Sequence, residues 1–201
     1  MNRRAMSRAA LPFLAALLLA LGACSQAPEA AQPPLAGARI GGDFTLVDKT
    51  GKTVRFHDFR GRYPVVYFGY TFCPDVCPLD VQHLMQGYAK LAKTDPDAAA
   101  KVQPIFISID PARDTPAVVG EFAAAFSPRL IGLTGSPEQV AQAAKMFAAY
   151  YRKGPPTGDG GYLMDHSRAA YLMGPQGQPI ALLPVDEGPE AVARELARWT
   201  S

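Results

Sequence analysis

Cys73 and Cys77, in the segment Tyr70-Thr71-Phe72-Cys73-Pro74-Asp75-Val76-Cys77-Pro78, are the side chains best suited to chemistry. Thiolates bind soft metals or exchange with disulfides, and a helix N-terminus favours both by lowering thiol pKa. On a helix, positions four apart share a face with Cβ atoms about 5–6 Å apart. A relaxed disulfide wants about 3.8 Å. The spacing therefore suits two thiolates sharing a soft ion, although a bend at Pro74 and Pro78 still permits a disulfide. A purely structural disulfide would close a very short loop and gain little entropy. Two thiolates suffice for Cu(I), and imidazole helps to hold Cu(II). The chain has three histidines, His57, His83 and His166. On a helix His83 would lie about 80° and 120° around from the two cysteines, which turns it to the flank or to solvent. His57 follows a strand-like run with charged neighbours and reads as a surface residue. His166, in Gly161-Tyr162-Leu163-Met164-Asp165-His166-Ser167, ends a glycine-rich loop beside an expected strand. Binding residues favour such loop ends on a rigid scaffold, so spacing favours His166.

The remaining cysteine, Cys24, reads as part of an address. Arg3, Arg4 and Arg8 precede an apolar run from Leu11 to Leu21, followed by Gly22-Ala23-Cys24. A charged start and a short apolar run mark a secretory signal, too short for a membrane-spanning helix. Small residues before a cysteine at that place resemble the lipobox of bacterial lipoproteins, which makes Cys24 the lipidation site and residues 1–23 the signal peptide. Residues 24–39, with Pro28, Pro33 and Pro34, read as the lipidated cysteine and a flexible tether. Extended, that tether reaches roughly 45 Å. Removing the leader's three arginines leaves 17 basic against 18 acidic residues, so the domain expected over 40–201 is near neutral. It has no basic patch of the kind nucleic-acid binding requires.

Positioning the cysteines falls to an alternation of strands and helices. Phe44–Val47 and Thr53–Phe56 read as a hairpin around Asp48-Lys49-Thr50-Gly51. The apolar runs Pro64–Tyr70 and Val102–Ile109 read as strands covered on both faces. Helices are expected over about 78–92, 116–126 with Thr115 as cap, 136–150 and 189–199. Leu130–Leu133 is a short strand, Gly154–Gly161 a flexible loop, and Arg168–Met173 with Ile180–Leu183 a second hairpin. Strands alternating with helices imply a central mixed sheet flanked by helices. The order of elements, with cysteines between a strand and a helix, is that of an α/β thioredoxin-like fold with an added N-terminal hairpin.

Cys73-Pro74-Asp75-Val76-Cys77-Pro78 resembles the CPDxCP motif of the Sco/SenC family, copper proteins of cytochrome c oxidase assembly. Asp165-His166-Ser167 is similar to that family's DHS segment, and Ser108-Ile109-Asp110-Pro111-Ala112-Arg113-Asp114-Thr115-Pro116 to its SxDPxRDTP segment. The resemblance implies a thioredoxin fold binding one copper through Cys73, Cys77 and His166. Asp75 and Asp165 would support the site. It further implies a copper chaperone serving the oxidase subunit that carries the copper A centre, with other periplasmic copper chaperones or thiol reductases as further partners. The lipid anchor would hold the domain at the membrane facing the periplasm, at the inner membrane where an oxidase chaperone works. The competing readings are a thiol–disulfide oxidoreductase using Cys73 and Cys77, and a copper or redox sensor. Asp110, Arg113 and Asp114 read as a loop ion-pair network and helix start.

Overall fold

The structure is a computed structural model that describes residues 32–158 and 160–200. Cys24 and the leader lie outside the described residues. Pro33–Ser201 forms one compact unit. Residues 33–39, expected as the end of the tether, fold onto it: the Leu35 N–H donates to the Ile180 carbonyl at 2.9 Å.

Among the described residues, nine strands and five α-helices follow in order. β1 (Thr45–Val47) and β2 (Thr53–Arg55) pair antiparallel as the expected N-terminal hairpin. The central sheet holds five strands in the order β5 (Ile131–Leu133), β4 (Val102–Ser108), β3 (Tyr63–Gly69), β8 (Ala170–Met173), β9 (Pro179–Leu183). β3, β4 and β5 run parallel; β8 and β9 are antiparallel, so the sheet is mixed. β4 is buried at every residue and β3 at all but its first, the expected result for apolar strands covered on both faces.

The long helix α1 (Val76–Thr94) leads out of β3 through the cysteine segment. A short α2 (Pro96–Lys101), capped by the Asp95 carboxylate, then turns the chain into β4. α3 (Pro116–Phe126) starts as expected, with Thr115 capping and Pro116 in the first turn. α4 (Pro137–Met146) has a Ser136–Gln139 capping box and stops four residues short of the expected Tyr150, through a left-handed Ala148. α5 (Pro189–Thr200) closes the fold against α1. Their approach depends on Gly87, where a Cβ would meet the Val192 side chain at 2.6 Å and the Pro189 carbonyl at 3.0 Å. The whole is a mixed α/β, thioredoxin-like arrangement with an added hairpin.

The segment leading to His166 also departs from the sequence expectation. The stretch expected as a flexible loop over 154–161 begins inside a strand: β6 (Tyr151–Pro156) pairs antiparallel with β7 (Tyr162–His166) as a separate two-stranded sheet. Tyr151 faces His166 in that register, so the hairpin delivers His166 from its far end. Its composition, rich in Gly and Pro, masked a strand pairing that is irregular between Lys153 and Pro156.

Candidate metal centre

The turn after β3 places the cysteines. Cys73 lies before α1 and is half-buried; Cys77 lies in the first turn of α1 and is fully buried. The pair is therefore spanned by a turn and a helix start instead of one helix face. The Cys77 N–H, one of the helix's first amides, donates to the Cys73 Sγ at 3.4 Å. Gly69 at the end of β3 makes room for the second sulfur, because a Cβ there would stand 3.3 Å from Cys77 Sγ.

His166 arrives across the sheet at the end of β7. Its Nδ1 lies 3.0 Å from the Ser167 carbonyl, and its Nε2 lies 3.0 Å from Cys77 Sγ. A carbonyl only accepts, so Nδ1 carries the proton and Nε2 presents its lone pair to the thiol. A protonated Cys77 has both that lone pair and the Cys73 sulfur within reach as acceptors. Tyr67 and Tyr70 hold the imidazole between them, each perpendicular to it, with ring centroids 6.3 and 6.0 Å away. The donor atoms of Cys73, Cys77 and His166 all lie within 4.8 Å of one another, close enough to share one ion.

Burial sets the charge states. It pushes the Cys77 thiol up, with its hydrogen bond to Cys73 as a second cause. Burial also pushes His166 below the ordinary imidazole value. Both effects disfavour charge in a site without a cation. The resulting set is a protonated thiol facing a neutral imidazole, and a bound cation would take the place of the thiol proton.

Three carboxylates tie the ligand-bearing segments together. Asp114, fully buried, accepts from Thr71 N–H at 3.0 Å, Thr71 Oγ1 at 2.6 Å and Ser108 Oγ at 2.5 Å, which pins the chain two residues before Cys73. Asp110 pairs with Arg113 at 2.6 Å and accepts from the Tyr162 hydroxyl at 2.8 Å. Arg113 also donates to the Tyr162 carbonyl and lies between the Tyr162 and Phe72 rings, at 3.7 and 4.8 Å, so it joins the histidine hairpin to the cysteine turn. The network expected of Asp110, Arg113 and Asp114 is present, and it is wired to the site. The third carboxylate, Asp80, was not singled out by sequence. It is fully buried one turn beyond Cys77 and takes a two-pronged bond from Arg168, at 2.6 and 2.9 Å, and one from Tyr67. A charged residue on the buried stripe of a helix was the available signal.

The two expected supporting residues stand apart from the donors. Asp75 is exposed at the N-cap of α1, and its carboxylate makes no capping bond. Asp165 neighbours His166 on β7 and so points to the opposite face, where it pairs with Arg152 at 2.9 Å. The other histidines are elsewhere: His57 pairs with Asp43 at 2.6 Å, and His83 Nδ1 lies 2.7 Å from the Val185 carbonyl. Among the described residues no helix is long and apolar enough to cross a membrane.

A family profile described as SCO1/SenC matches residues 32–201. The chain belongs to the SCO1/SenC family. Protein SenC of Rhodobacter capsulatus is 46% identical over 158 residues, covering 79% of this chain and 69% of that protein. The mitochondrial SCO2 homolog of Mus musculus is 46% identical over 136 residues, 68% of this chain and 52% of its own. This chain thus spans about half the length of its mouse relative. Among solved structures, Bradyrhizobium japonicum ScoI with copper bound superposes with a TM-score of 0.71 at 39% identity, covering 80% of this chain and 99% of that one.

Proposed function

We propose that this member of the family is a copper carrier, holding one copper ion through Cys73, Cys77 and His166 and passing it to the copper A site of cytochrome c oxidase during assembly. The convergence of two sulfurs and an imidazole nitrogen within 4.8 Å carries the reading. Soft thiolates with one imidazole suit copper in either oxidation state. The copper-bound relative from Bradyrhizobium supports the choice of metal. Copper here is cargo, and three donors leave room for an incoming thiolate to join before a resident one departs. The lipobox-like Leu21-Gly22-Ala23-Cys24 supports export and a lipid anchor at Cys24, which keeps the domain at the membrane that carries the acceptor. The test is anaerobic copper titration of the full chain. We expect one ion per chain, loss of tight binding in Cys73→Ser, Cys77→Ser and His166→Ala, and transfer to an isolated acceptor domain. Unchanged binding in those variants sinks the proposal.

One observation favours a second reading, thiol–disulfide exchange on the acceptor's cysteines. Cys73 is the accessible thiol and Cys77 the buried one, the division between attacking and resolving roles in dithiol exchange. That chemistry does not require His166 as a third ligand. Exchange with a partner dithiol that proceeds equally well in His166→Ala, with no copper transfer by the wild type, would favour this second role.

A further inference from the structure

The Asp80–Arg168 pair joins the same two segments that the candidate metal ligands join. Asp80 lies three residues after Cys77 on α1, and Arg168 two residues after His166. Cys77 Sγ and His166 Nε2 meet at 3.0 Å. The Asp80–Arg168 bond does not depend on the thiol. It is two-pronged, with Nε and Nη2 at 2.9 and 2.6 Å from the two carboxylate oxygens, and the Tyr67 hydroxyl fixes one of those oxygens at 2.9 Å. Planar bidentate pairing fixes orientation as well as distance. The bond on His166 Nδ1 goes to the adjacent Ser167 carbonyl, which sets the tautomer without tying the ring to a distant element.

We propose that Asp80 and Arg168 are positioning residues that hold His166 over Cys77 whether or not metal is bound. The third ligand then stands ready before the cargo arrives and stays close as it leaves. This rests on the copper reading above. Arg168→Gln removes the two-pronged bond; it is made in the wild-type and the His166→Ala backgrounds, and Cu(I) affinity is measured by chelator competition. Loss of an outer partner of a metal ligand typically weakens affinity by about 10- to 100-fold. We expect that loss in the wild-type background and none in His166→Ala, because the effect passes through the imidazole. An equal loss in both backgrounds, or no loss in either, overturns the proposal. Arg168→Lys keeps the charge but cannot reproduce the planar fork. It is expected to recover part of the affinity, and it replaces Arg168→Gln if that variant does not fold.

A second readout needs no metal. In the copper-free protein, cross-relaxation between the His166 ring and the Tyr67 and Tyr70 rings is expected in the wild type and lost in the Arg168 variant. Its persistence there overturns the proposal. Wild-type protein that shows the ring contacts but takes up no copper would instead refute the copper reading and leave the positioning role standing.

Discussion

Adding one methyl group at Gly69 pits two effects of opposite sign against each other. Gly69 is the last residue of β3, in a backbone conformation open to L-residues. Glycine within a strand is destabilising by about 0.5–1 kcal/mol relative to alanine through unfolded-chain entropy, so in open space Gly69→Ala would stabilise. The space is not open. The new Cβ would lie 3.0 Å from Phe106 Cε2, 3.0 Å from Tyr67 Cε1 and 3.3 Å from Cys77 Sγ. None of the three can yield easily: all are fully buried, Phe106 packs on Phe122 at 4.7 Å, and Tyr67 is tied to Asp80. Overpacking of this kind costs about 1–3 kcal/mol, which exceeds the entropic gain. The net expectation is a loss of about 1–2 kcal/mol, or a fall in Tm of about 2–8 °C for a domain of this size. Chemical denaturation followed by circular dichroism measures it. The same methyl group should push the Cys77 sulfur away from His166 and weaken copper binding in a competition assay. A more stable Gly69→Ala, or one with unchanged copper affinity, would show that the space around the sulfur is not tight and refute the reasoning.

Further outcomes can be stated briefly. Asp114→Ala leaves three donors, on Thr71 and Ser108, without their acceptor in a buried place; we expect a loss of about 3 kcal/mol or more in denaturant melts, with Asp114→Asn losing less. Copper affinity should rise with pH across the neutral range, by about one log unit per pH unit for each thiol proton displaced on binding; burial keeps that of Cys77 on its sulfur. His166, pushed below its ordinary value, is already neutral there, so His166→Ala should lower the affinity without flattening that slope. For the metal-free protein, a raised Cys77 value means stability that is fully present below the unfolded thiol's pKa and lost as pH rises through the folded value; denaturant midpoints should fall above about pH 9 and fall less in Cys77→Ser. The depressed His166 value acts at the other end, with stability present above the ordinary imidazole pKa of about 6.5 and lost as pH falls through the folded value.

The sequence made the frame of the site legible because its signals are local. β3 and β4 are apolar runs that need cover on both faces, α3 has Thr115 and Pro116 at its start, and the cysteine segment sits between strand and helix. The added hairpin could be read from turn residues. What could not be read depended on tertiary pairing. β6 carries Gly154, Pro155 and Pro156, residues that oppose strand formation, and is a strand because β7 pairs with it. Asp80 reads as an ordinary helix carboxylate until Arg168, 88 residues later, is brought against it. The family resemblance implies a supporting role for Asp165, yet strand alternation turns neighbours to opposite faces, and it pairs with Arg152.

The site is asymmetric in a way that bears on the proposed release of copper. Cys77 and His166 are a buried and a half-buried donor in direct contact, backed by Tyr67 and Gly69. Cys73 lies on the open side, half-buried, between Phe72, which is 51% exposed, and the exposed Pro74 and Asp75. Under the carrier role proposed above, a competing thiol would approach from solvent and so meet the metal on the Cys73 side. Ligand exchange that begins there can leave Cys77 and His166 engaged while the new bond forms, so the ion need never be free in water. A symmetric, enclosed trio would hold the metal as well but give it no door. The exposed Phe72 ring, with Arg113 over it at 4.8 Å, stands next in sequence to the accessible thiol on that open side.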